Sequence, residues 1–492
     1  MNIAWLFMAL AVLLALVLGV LARGGREMVL DQWTVAGRGF GAVFVFLLLA
    51  GEIYTTFTFL GASGFAYGLG GPAFYILAYG GIAYTLSYFI LPPVWRYARQ
   101  HGLISQPDFF ARKYASPALG VLVSLVDIVA LVPYLVLQFK GLGIIVHAAS
   151  YGAIGNAVAI WIGALVVTIY VMVSGVRGSA WTSVVKDIGI LAVVIFLGLY
   201  LPWRDYGGIE PMFRAIAAAK PGFLALPEHG QSVSWFISTV LLTALGFFMW
   251  PHSFAASYTA RSERTLRKNA VVLPLYQFVL LFVYFVGFAA ILKVPGLKGA
   301  DIDLALFHIA TATFSPAVVG IIGGIGILTA LVPGSLIMMN AATLLSHNLY
   351  RLASRDAQDA EVTRMAKGLV PLVALVAVGF TLRGGETIVA LLLMGYSFVT
   401  QLFPALLMSL LPRNPVTPAG AFAGIAAGVA TVAVVSLSHS SLAKLMPFLH
   451  GAWADLNVGI VALGCNVLVL AVVSLLTLRT TSAPAHGEPA SH

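Results

Sequence analysis

The sequence predicts an all-α polytopic membrane protein with about thirteen transmembrane helices. Its 492 residues are 60% hydrophobic and only 9% charged, with a mean hydropathy of +0.97, whereas soluble domains carry roughly 25% charged residues. Apolar runs of roughly 18 or more residues recur along the whole chain, and runs of that length favour helices that satisfy their own backbone hydrogen bonds within lipid.

The apolar segments follow one another without room for a separate soluble domain. We expect residues 1–481 to form a single transmembrane domain and residues 482–492 to form a disordered cytoplasmic tail. The first segment has no basic start and no clear cleavage site, so we interpret it as a retained span rather than a signal peptide. Spans 1 to 13 are predicted at residues 3–22, 40–64, 73–94, 118–146, 156–174, 180–202, 233–256, 270–292, 315–346, 368–383, 386–411, 418–438 and 456–478.

Basic residues are distributed unevenly between the two predicted sides of the membrane. The net charge is +9, and with the N-terminus placed outside, about eighteen of the 27 lysine and arginine residues fall in inside loops and about seven outside. This bias predicts an outside N-terminus and an inside C-terminus, and the charge therefore gives no reason to expect a nucleic-acid partner. The other two lysines, Lys140 and Lys186, lie within spans 4 and 6.

Motifs of enzymes and metalloproteins are missing from the sequence. The single cysteine, Cys465, excludes an internal disulfide and a cysteine-rich metal site. No H-E-x-x-H, G-x-S-x-G or Walker pattern occurs, so we expect no enzymatic activity, no cofactor and no bound metal. Beyond a small solute and the lipid bilayer, the sequence indicates no obligate protein partner.

Spans 2 and 7 are both interrupted by polar residues, glycine or proline. Span 2 turns polar from Glu52 to Thr58 and becomes glycine-rich up to Pro72, while span 7 carries Gly246 and Pro251 in its middle. Two interrupted spans five spans apart predict inverted repeats whose broken helices bind a solute near the midplane. The alternative is that the glycines only allow close helix packing. The repeats are predicted at residues about 40–202 (spans 2–6) and about 233–411 (spans 7–11).

Span 9 carries a similar weak point at Val332-Pro333-Gly334. Proline removes a backbone donor and glycine loosens a helix, so we expect this helix to bend or open there. An opened backbone within the membrane lines a cavity or is buried in protein.

Six motifs follow one another in a fixed order: DQWTVAGRGFG (31–41), TFLGASG (58–64), GLISQPDFFARKY (102–114), VSGVRGSAWTSVVKD (173–187), WPHSFAASYTARSERTLRK (250–268) and GILTALVPGSLIMMNAATLLSHNLY (326–350). Their order and spacing resemble the sodium/solute symporter family over essentially the whole chain, most closely its bacterial monocarboxylate permease branch. The resemblance implies thirteen spans, leucine-transporter-like inverted repeats and alternating access. It also implies import of small monocarboxylates such as lactate, pyruvate or acetate across the bacterial cytoplasmic (inner) membrane.

The resemblance further implies a sodium site between spans 2 and 9, built from three carbonyls and two hydroxyls. The carbonyls fall on Gly51, Tyr54 and Thr329, and the hydroxyl positions fall on Val332 and Pro333. Sodium needs several hard oxygen ligands, and valine and proline side chains provide none. The family's hydroxyl ligands have therefore been lost from this sequence.

Span 6 also departs from the family pattern, because the acid associated with some sodium sites is Ser183 and the family glutamine is Lys186, followed by Asp187. We expect the Lys186 ammonium to take the place of sodium and to carry a proton, since buried lysines titrate readily. Glu52 is a second candidate carrier. The alternatives are a structural ion pair or a lysine that snorkels towards the interface. The lost hydroxyl ligands and the presence of Lys186 favour H⁺ over Na⁺ as the coupling ion. A sodium-coupled symporter and an uncoupled facilitator or channel remain open.

A monocarboxylate site needs hydrogen-bond donors, a positive potential and a small apolar wall. The alternatives are that the threonines bond to their own backbone, that Lys140 pairs with Glu52 or lies near the outer interface, and that Trp250 only packs. For His252 a structural hydrogen bond is favoured over a proton relay, and Asp127 has no obvious partner. The candidate substrate-binding residues are Thr55, Thr56, Thr58, Gln138, Lys140, Phe247 and Trp250.

Overall fold

The computed structural model describes residues 3–24, 29–51, 54–354, 356–438, 444 and 451–481. Within these residues the chain is helical and forms no β-strand; one isolated bridge joins Phe40 to Ala260. The all-α prediction is therefore confirmed. Glu52 and the predicted tail at residues 482–492 lie outside the described residues.

Ten described helices are long and apolar enough to cross a membrane. An eleventh crossing is a bent pair, Val233–Met249 and Pro251–Tyr258, whose two parts meet at 48°. The ten helices are Ile3–Arg23, Gly71–Gln100, Pro117–Ala149, Asn156–Tyr206, Glu263–Ala290, Pro316–Ala353, Asp359–Arg383, Ile388–Ser409, Pro418–Leu437 and Val458–Leu478.

The helix Asn156–Tyr206 contains two spans rather than one. Its 51 residues would measure about 77 Å if straight, more than twice the hydrocarbon thickness of about 30 Å. Gly175 in its middle is not helical, with φ 57° and ψ −166°. The Tyr170 hydroxyl donates to Thr182 Oγ1 at 2.8 Å, whereas twelve residues of straight helix would separate the two positions by about 18 Å. The chain therefore reverses at Gly175, and the two halves are spans 5 and 6.

Span 2 is broken, as its sequence predicts. Its halves are the helices Ala42–Gly51 and Phe57–Leu69, and each is too short to cross about 30 Å of hydrocarbon alone. Span 7 breaks at Trp250, which is extended (φ −63°, ψ 131°) because the following Pro251 disfavours a helical residue before it. With the helix Asn156–Tyr206 counted as two spans and the two halves of span 2 counted as one, the described helices can supply all the predicted spans. The sides of the membrane on which the termini lie stay a prediction.

Span 9 does not open at Val332-Pro333-Gly334, so the expected opening of the helix is wrong. The helix Pro316–Thr343 runs through all three residues, which are buried. Close neighbours hold it: a Cβ on Gly334 would lie 3.6 Å from Val167 and 3.8 Å from Gln138. The proline acts more locally, since it has no N–H to donate to the Thr329 carbonyl four residues earlier.

Candidate functional site

Lys186 occupies the centre of the candidate site, between span 6 and the break in span 2. Its side chain is fully buried, and its ammonium lies 2.6 Å from Asp187 Oδ1. The same Nζ donates to the carbonyls of Tyr54 at 3.1 Å and Gly51 at 3.5 Å. These are the two span 2 carbonyls that the family resemblance assigns to sodium.

The break in span 2 explains why these carbonyls accept from a side chain. Where a helix opens, backbone carbonyls lose their i+4 donors and need other partners when buried. The approach is close, because a methyl group built on Gly51 would lie 3.7 Å from Lys186 Nζ and 3.5 Å from Ser183 Oγ. Ser183 in turn donates to the Ser179 carbonyl at 2.9 Å. Gly51 and span 6 thus pack directly on each other.

Lys186 and Asp187 form an ion pair although they are neighbours in sequence. The Asp187 side chain is 5% exposed, so solvent compensates little of its charge. The sequence leaves two alternatives for Lys186: a structural ion pair, or an ammonium in the sodium position. In the structure Lys186 does both, because it pairs with Asp187 and also donates to the Gly51 and Tyr54 carbonyls. Charges are costly at this depth, and their mutual pairing keeps the site neutral.

Span 9 contributes little to the site besides backbone. Thr329 uses its hydroxyl to donate to the Gly326 carbonyl at 2.6 Å, while its own carbonyl lacks the helical donor that Pro333 cannot supply. Ser335 Oγ lies 2.8 Å from Ser179 Oγ and donates to the Val332 carbonyl at 2.6 Å. The link between spans 6 and 9 is therefore a serine pair next to the positions of the lost hydroxyls.

The span 2 threonines divide into two groups. Thr58 Oγ1 accepts from the Thr55 N–H and donates to the Thr55 carbonyl, both at 3.0 Å, and the Phe57 N–H donates to Thr55 Oγ1 at 3.1 Å. Thr55 and Thr58 therefore cap the second half of span 2, which is the backbone-bonding alternative. Thr56 instead donates to Gln138 Oε1 at 2.8 Å, so this pair joins spans 2 and 4.

Lys140 does not face the central site as a free cation. Its ammonium lies 2.7 Å from Asp303 Oδ2 and donates to the Glu386 carbonyl at 2.6 Å. The pairing with Glu52 that the sequence left open falls outside the described residues, and the observed partner is Asp303. The interpretation of Lys140 as a substrate-binding cation stays a prediction, and in this structure the carboxylate of Asp303 already pairs with its charge.

Aromatic rings line the break in span 7. The Trp250 indole packs against Tyr134 and Tyr396, with ring centroids 4.7 and 5.3 Å apart, and a Cβ on Gly395 would lie 2.4 Å from it. Phe247 packs against Tyr79, Tyr84 and Phe248 in the same way. Sequence reasoning missed the tyrosines, since single aromatic residues in apolar helices give no signal.

Several buried polar atoms of this region have no hydrogen-bond partner among the described residues. They include the Gln138 amide nitrogen and both ring nitrogens of His252. The structural hydrogen bond expected for His252 is therefore not found. Both oxygens of Asp127, which is fully buried, are also without a hydrogen bond in the described part of the chain. Unpaired buried donors are costly unless a ligand or water satisfies them.

A polar contact lies on the predicted inner side, between spans 3 and 4. Asp108 accepts from the Ser105 N–H at 3.1 Å, from His347 Nε2 at 3.2 Å and from Asn348 Nδ2 at 2.8 Å. Burial alone would raise the pKa of Asp108, but the contacts with His347, Ser105 and the Ile104 N–H hold that pKa below its usual range. This carboxylate fastens the short helix before span 4 to the inner end of span 9.

Comparison with known proteins decides the family. The model of the sodium:solute symporter family matches residues 33–428. The chain belongs to the sodium:solute symporter family. It is 61% identical over 485 residues to the uncharacterised symporter YhjB of Bacillus subtilis (strain 168), with 99% of each chain covered. It is 30% identical to the symporter YodF of the same strain, over 98% of this chain and 95% of YodF.

A third relative is named for its substrate. The symporter is 28% identical to a protein of Rhizobium johnstonii (strain DSM 114642 / LMG 32736 / 3841) named monocarboxylate transport permease protein. The alignment spans 460 residues, covering 91% of this chain and 90% of the relative.

Solved structures show the same fold. A Na⁺-coupled sialic acid symporter in a substrate-bound, outward-open state matches with a TM-score of 0.79 at 15% identity, over 96% of this chain and 97% of that chain. Mhp1, a nucleobase-cation-symport-1 transporter, matches at 0.55 and 10% identity, over 92% and 94%. MhsT in complex with L-phenylalanine matches at 0.51 and 14% identity, over 88% and 98%. These likenesses confirm the leucine-transporter-like fold.

The family membership and the helices together establish the general class of the protein. It is a multi-pass membrane symporter and not an enzyme, and its bacterial relatives place it in the inner membrane.

Proposed function

We propose that this symporter imports small monocarboxylates, such as lactate, pyruvate or acetate, together with protons. One observation carries the coupling proposal: the Lys186 ammonium donates to the Gly51 and Tyr54 carbonyls, which the family resemblance assigns to sodium. A lysine ammonium and a sodium ion each carry one positive charge. Because the ammonium already contacts these carbonyls, a sodium ion cannot bind them at the same time.

The Lys186–Asp187 pair has the chemistry of a proton carrier. In the described arrangement an ammonium faces a carboxylate, and the pair is neutral. Protonation of Asp187 would give the pair one net positive charge, which matches the charge of a single carboxylate anion. Release of that proton on the inner side would return the pair to neutrality, so one proton would cross with one monocarboxylate. The two groups lie 2.6 Å apart and share the coupling role.

Donors at the midplane support a carboxylate substrate. The unpaired amide nitrogen of Gln138 offers N–H groups to an acceptor, and Thr56 holds Gln138 through its side-chain oxygen so that the nitrogen stays available. Phe247 would supply the apolar wall for a methyl group. The substrate named for the Rhizobium johnstonii relative agrees with this chemistry.

Sodium coupling is the second candidate, and a specific observation favours it. The carbonyls of Gly51, Tyr54 and Thr329 and the Asp187 carboxylate are hard oxygen ligands. They would be open to sodium if the Lys186 side chain turned away. An uncoupled facilitator is the third outcome that an experiment must separate.

Uptake into proteoliposomes tests these possibilities. We expect labelled lactate to accumulate above its external concentration with an inward proton gradient, and an uncoupler to abolish this accumulation. Lys186→Gln, which restores the family glutamine, should lose proton-driven accumulation, while the exposed Lys220→Met serves as a matched control. Accumulation driven by a sodium gradient alone would refute proton coupling, and equilibration without accumulation would show a facilitator.

A further inference from the structure

A second ion pair, between a partly buried lysine and a buried acid outside the central site, joins three separated parts of the chain. We call it the outer latch: Lys140 of span 4, Asp303 of the segment 299–304 and the backbone of residues 386–388. Lys140 Nζ lies 2.7 Å from Asp303 Oδ2, and the Ile388 N–H donates to the same oxygen at 2.9 Å. The Lys140 side chain is 19% exposed and that of Asp303 is fully buried.

The latch holds the segment 299–304 directly on the second half of span 2. A Cβ on Gly64 would lie 2.5 Å from the Ile302 carbonyl oxygen, and a Cβ on Gly61 would lie 2.9 Å from the Ile388 side chain. The segment and span 2 are therefore in direct contact at the level of Gly61 and Gly64. This half of span 2 leads from the side predicted to face outside down to the break that holds the site, so the latch covers that approach.

Span 4 connects the latch to the substrate region. Gly141 follows Lys140 in sequence, and a Cβ on Gly141 would lie 2.5 Å from Thr56. Thr56 is the threonine that bonds Gln138. Lys140 therefore lies one residue from the point where span 4 touches the proposed substrate-binding side chains.

We propose that Lys140 is the entry site for the substrate's carboxylate and that Asp303 is its built-in competitor. The proposal rests on the proposed function, because it assumes an anionic substrate. A partly buried lysine is stabilised by a negative partner, so opening of the segment 299–304 is unfavourable unless another carboxylate takes the place of Asp303. An entering monocarboxylate provides this replacement and thereby favours the open state.

The chemistry of the latch selects for an anion over a cation or a neutral solute. When Asp303 leaves with its segment, Lys140 keeps the Glu386 carbonyl as one partner and exposes an uncompensated positive charge. A carboxylate restores neutrality, a neutral solute does not, and a cation is repelled. The same charge would keep free sodium from the entrance.

Two single variants separate the role of Lys140 as an entry site from a merely structural role. Asp303→Asn keeps an oxygen for the Ile388 N–H and removes the competitor, whereas Lys140→Met removes the cation. Both break the latch, so both should increase labelling of a Val389→Cys reporter by a membrane-impermeant maleimide about tenfold or more, since a broken buried pair is strongly destabilising. The reporter is placed in a Cys465→Ser background, and Val389 is 1% exposed in the closed structure.

The KM for external lactate then distinguishes the two roles. We expect Asp303→Asn to lower KM and Lys140→Met to raise it, each several-fold, while Glu228→Gln, at an exposed position outside the latch, leaves both labelling and KM unchanged. In the wild type, lactate should increase labelling of the reporter, and in Lys140→Met it should not. Equal KM increases in both variants would reduce Lys140 to a structural partner, and unchanged labelling would remove the latch altogether.

Failure of the entry role and failure of the proposed function give different results. If the wild type takes up no monocarboxylate, the proposed function is wrong and the entry role of Lys140 falls with it. The maleimide labelling still decides whether the pair closes the outer side. If uptake occurs but KM does not respond to Lys140→Met, only the entry role is refuted.

Discussion

Replacement of Lys186 by methionine is expected to destabilise the symporter and to abolish proton coupling at the same time. The Lys186 side chain is fully buried, and the Asp187 side chain is only 5% exposed. Removal of one member of a buried ion pair costs about 3–5 kcal/mol because the other charge is left unpaired. The Tyr54 carbonyl also loses its donor, which adds about 1 kcal/mol.

The double variant Lys186→Met/Asp187→Asn separates stability from coupling. Replacing both members of a buried pair by neutral groups is often close to neutral, so most of the loss should be recovered. We therefore expect a coupling free energy of about 3 kcal/mol in the double-mutant cycle. Proton movement should not recover, because neither remaining side chain carries a proton.

Two measurements check this prediction. Steric trapping in bicelles gives the free energy of unfolding, and a pH-sensitive dye inside proteoliposomes reports proton entry when lactate is added. A double variant as unstable as Lys186→Met would show that the ion pair is not the source of the stability. A double variant that still moves protons with lactate would refute the role of Lys186 and Asp187 as carriers.

Three further predictions concern positions around the site and the fold. Gly51→Ala should retain transport and stability, because the added methyl group makes only ordinary contacts of 3.5 and 3.7 Å, whereas Gly51→Leu should abolish uptake. Asp108→Asn should lower the melting temperature at pH 7. Since the pKa of Asp108 is held below its usual range through His347 and its other partners, the stabilisation is present above about pH 4 and is lost as the pH falls further. Gly175→Ala should lower the folded yield, since φ is 57° and a Cβ would lie 2.7 Å from Trp33.

Each of these predictions has its own contradicting result. Loss of uptake in Gly51→Ala would mean that the span 2 break tolerates no added group beside the ammonium. A difference between wild type and Asp108→Asn that persists unchanged at pH 3 would show that ionisation of Asp108 is not its cause. A normal yield of Gly175→Ala in membranes would mean that the reversal between spans 5 and 6 tolerates a side chain.

Local sequence signals predicted the broken spans and the surroundings of Lys186. Glycine and proline act on the backbone of their own segment, so the breaks in spans 2 and 7 could be read directly. The position of Lys186 followed from the motif order, and the carbonyls of Gly51 and Tyr54 are its partners in the structure.

Contacts between distant segments could not be predicted in this way. Asp303 is 163 residues from Lys140 and lies in a segment whose sequence has no periodic pattern. Span 9 stays helical through Pro333 because the neighbouring spans bury it on all sides, and such tertiary packing overrides local propensity. The roles of Thr55 and Thr58 as caps depended on where the helix restarts after the break, which a sequence places only to within a few residues.

A cation that is part of the chain has a consequence for the conditions in which the protein works. The Lys186 ammonium meets the Gly51 and Tyr54 carbonyls at an effective concentration set by its own side chain, and no change in salinity dilutes it. A free ion must bind again from solution in every transport cycle, whereas the Lys186 ammonium stays attached to the chain. Filling of this position by the ammonium is thus independent of the salt concentration outside the cell.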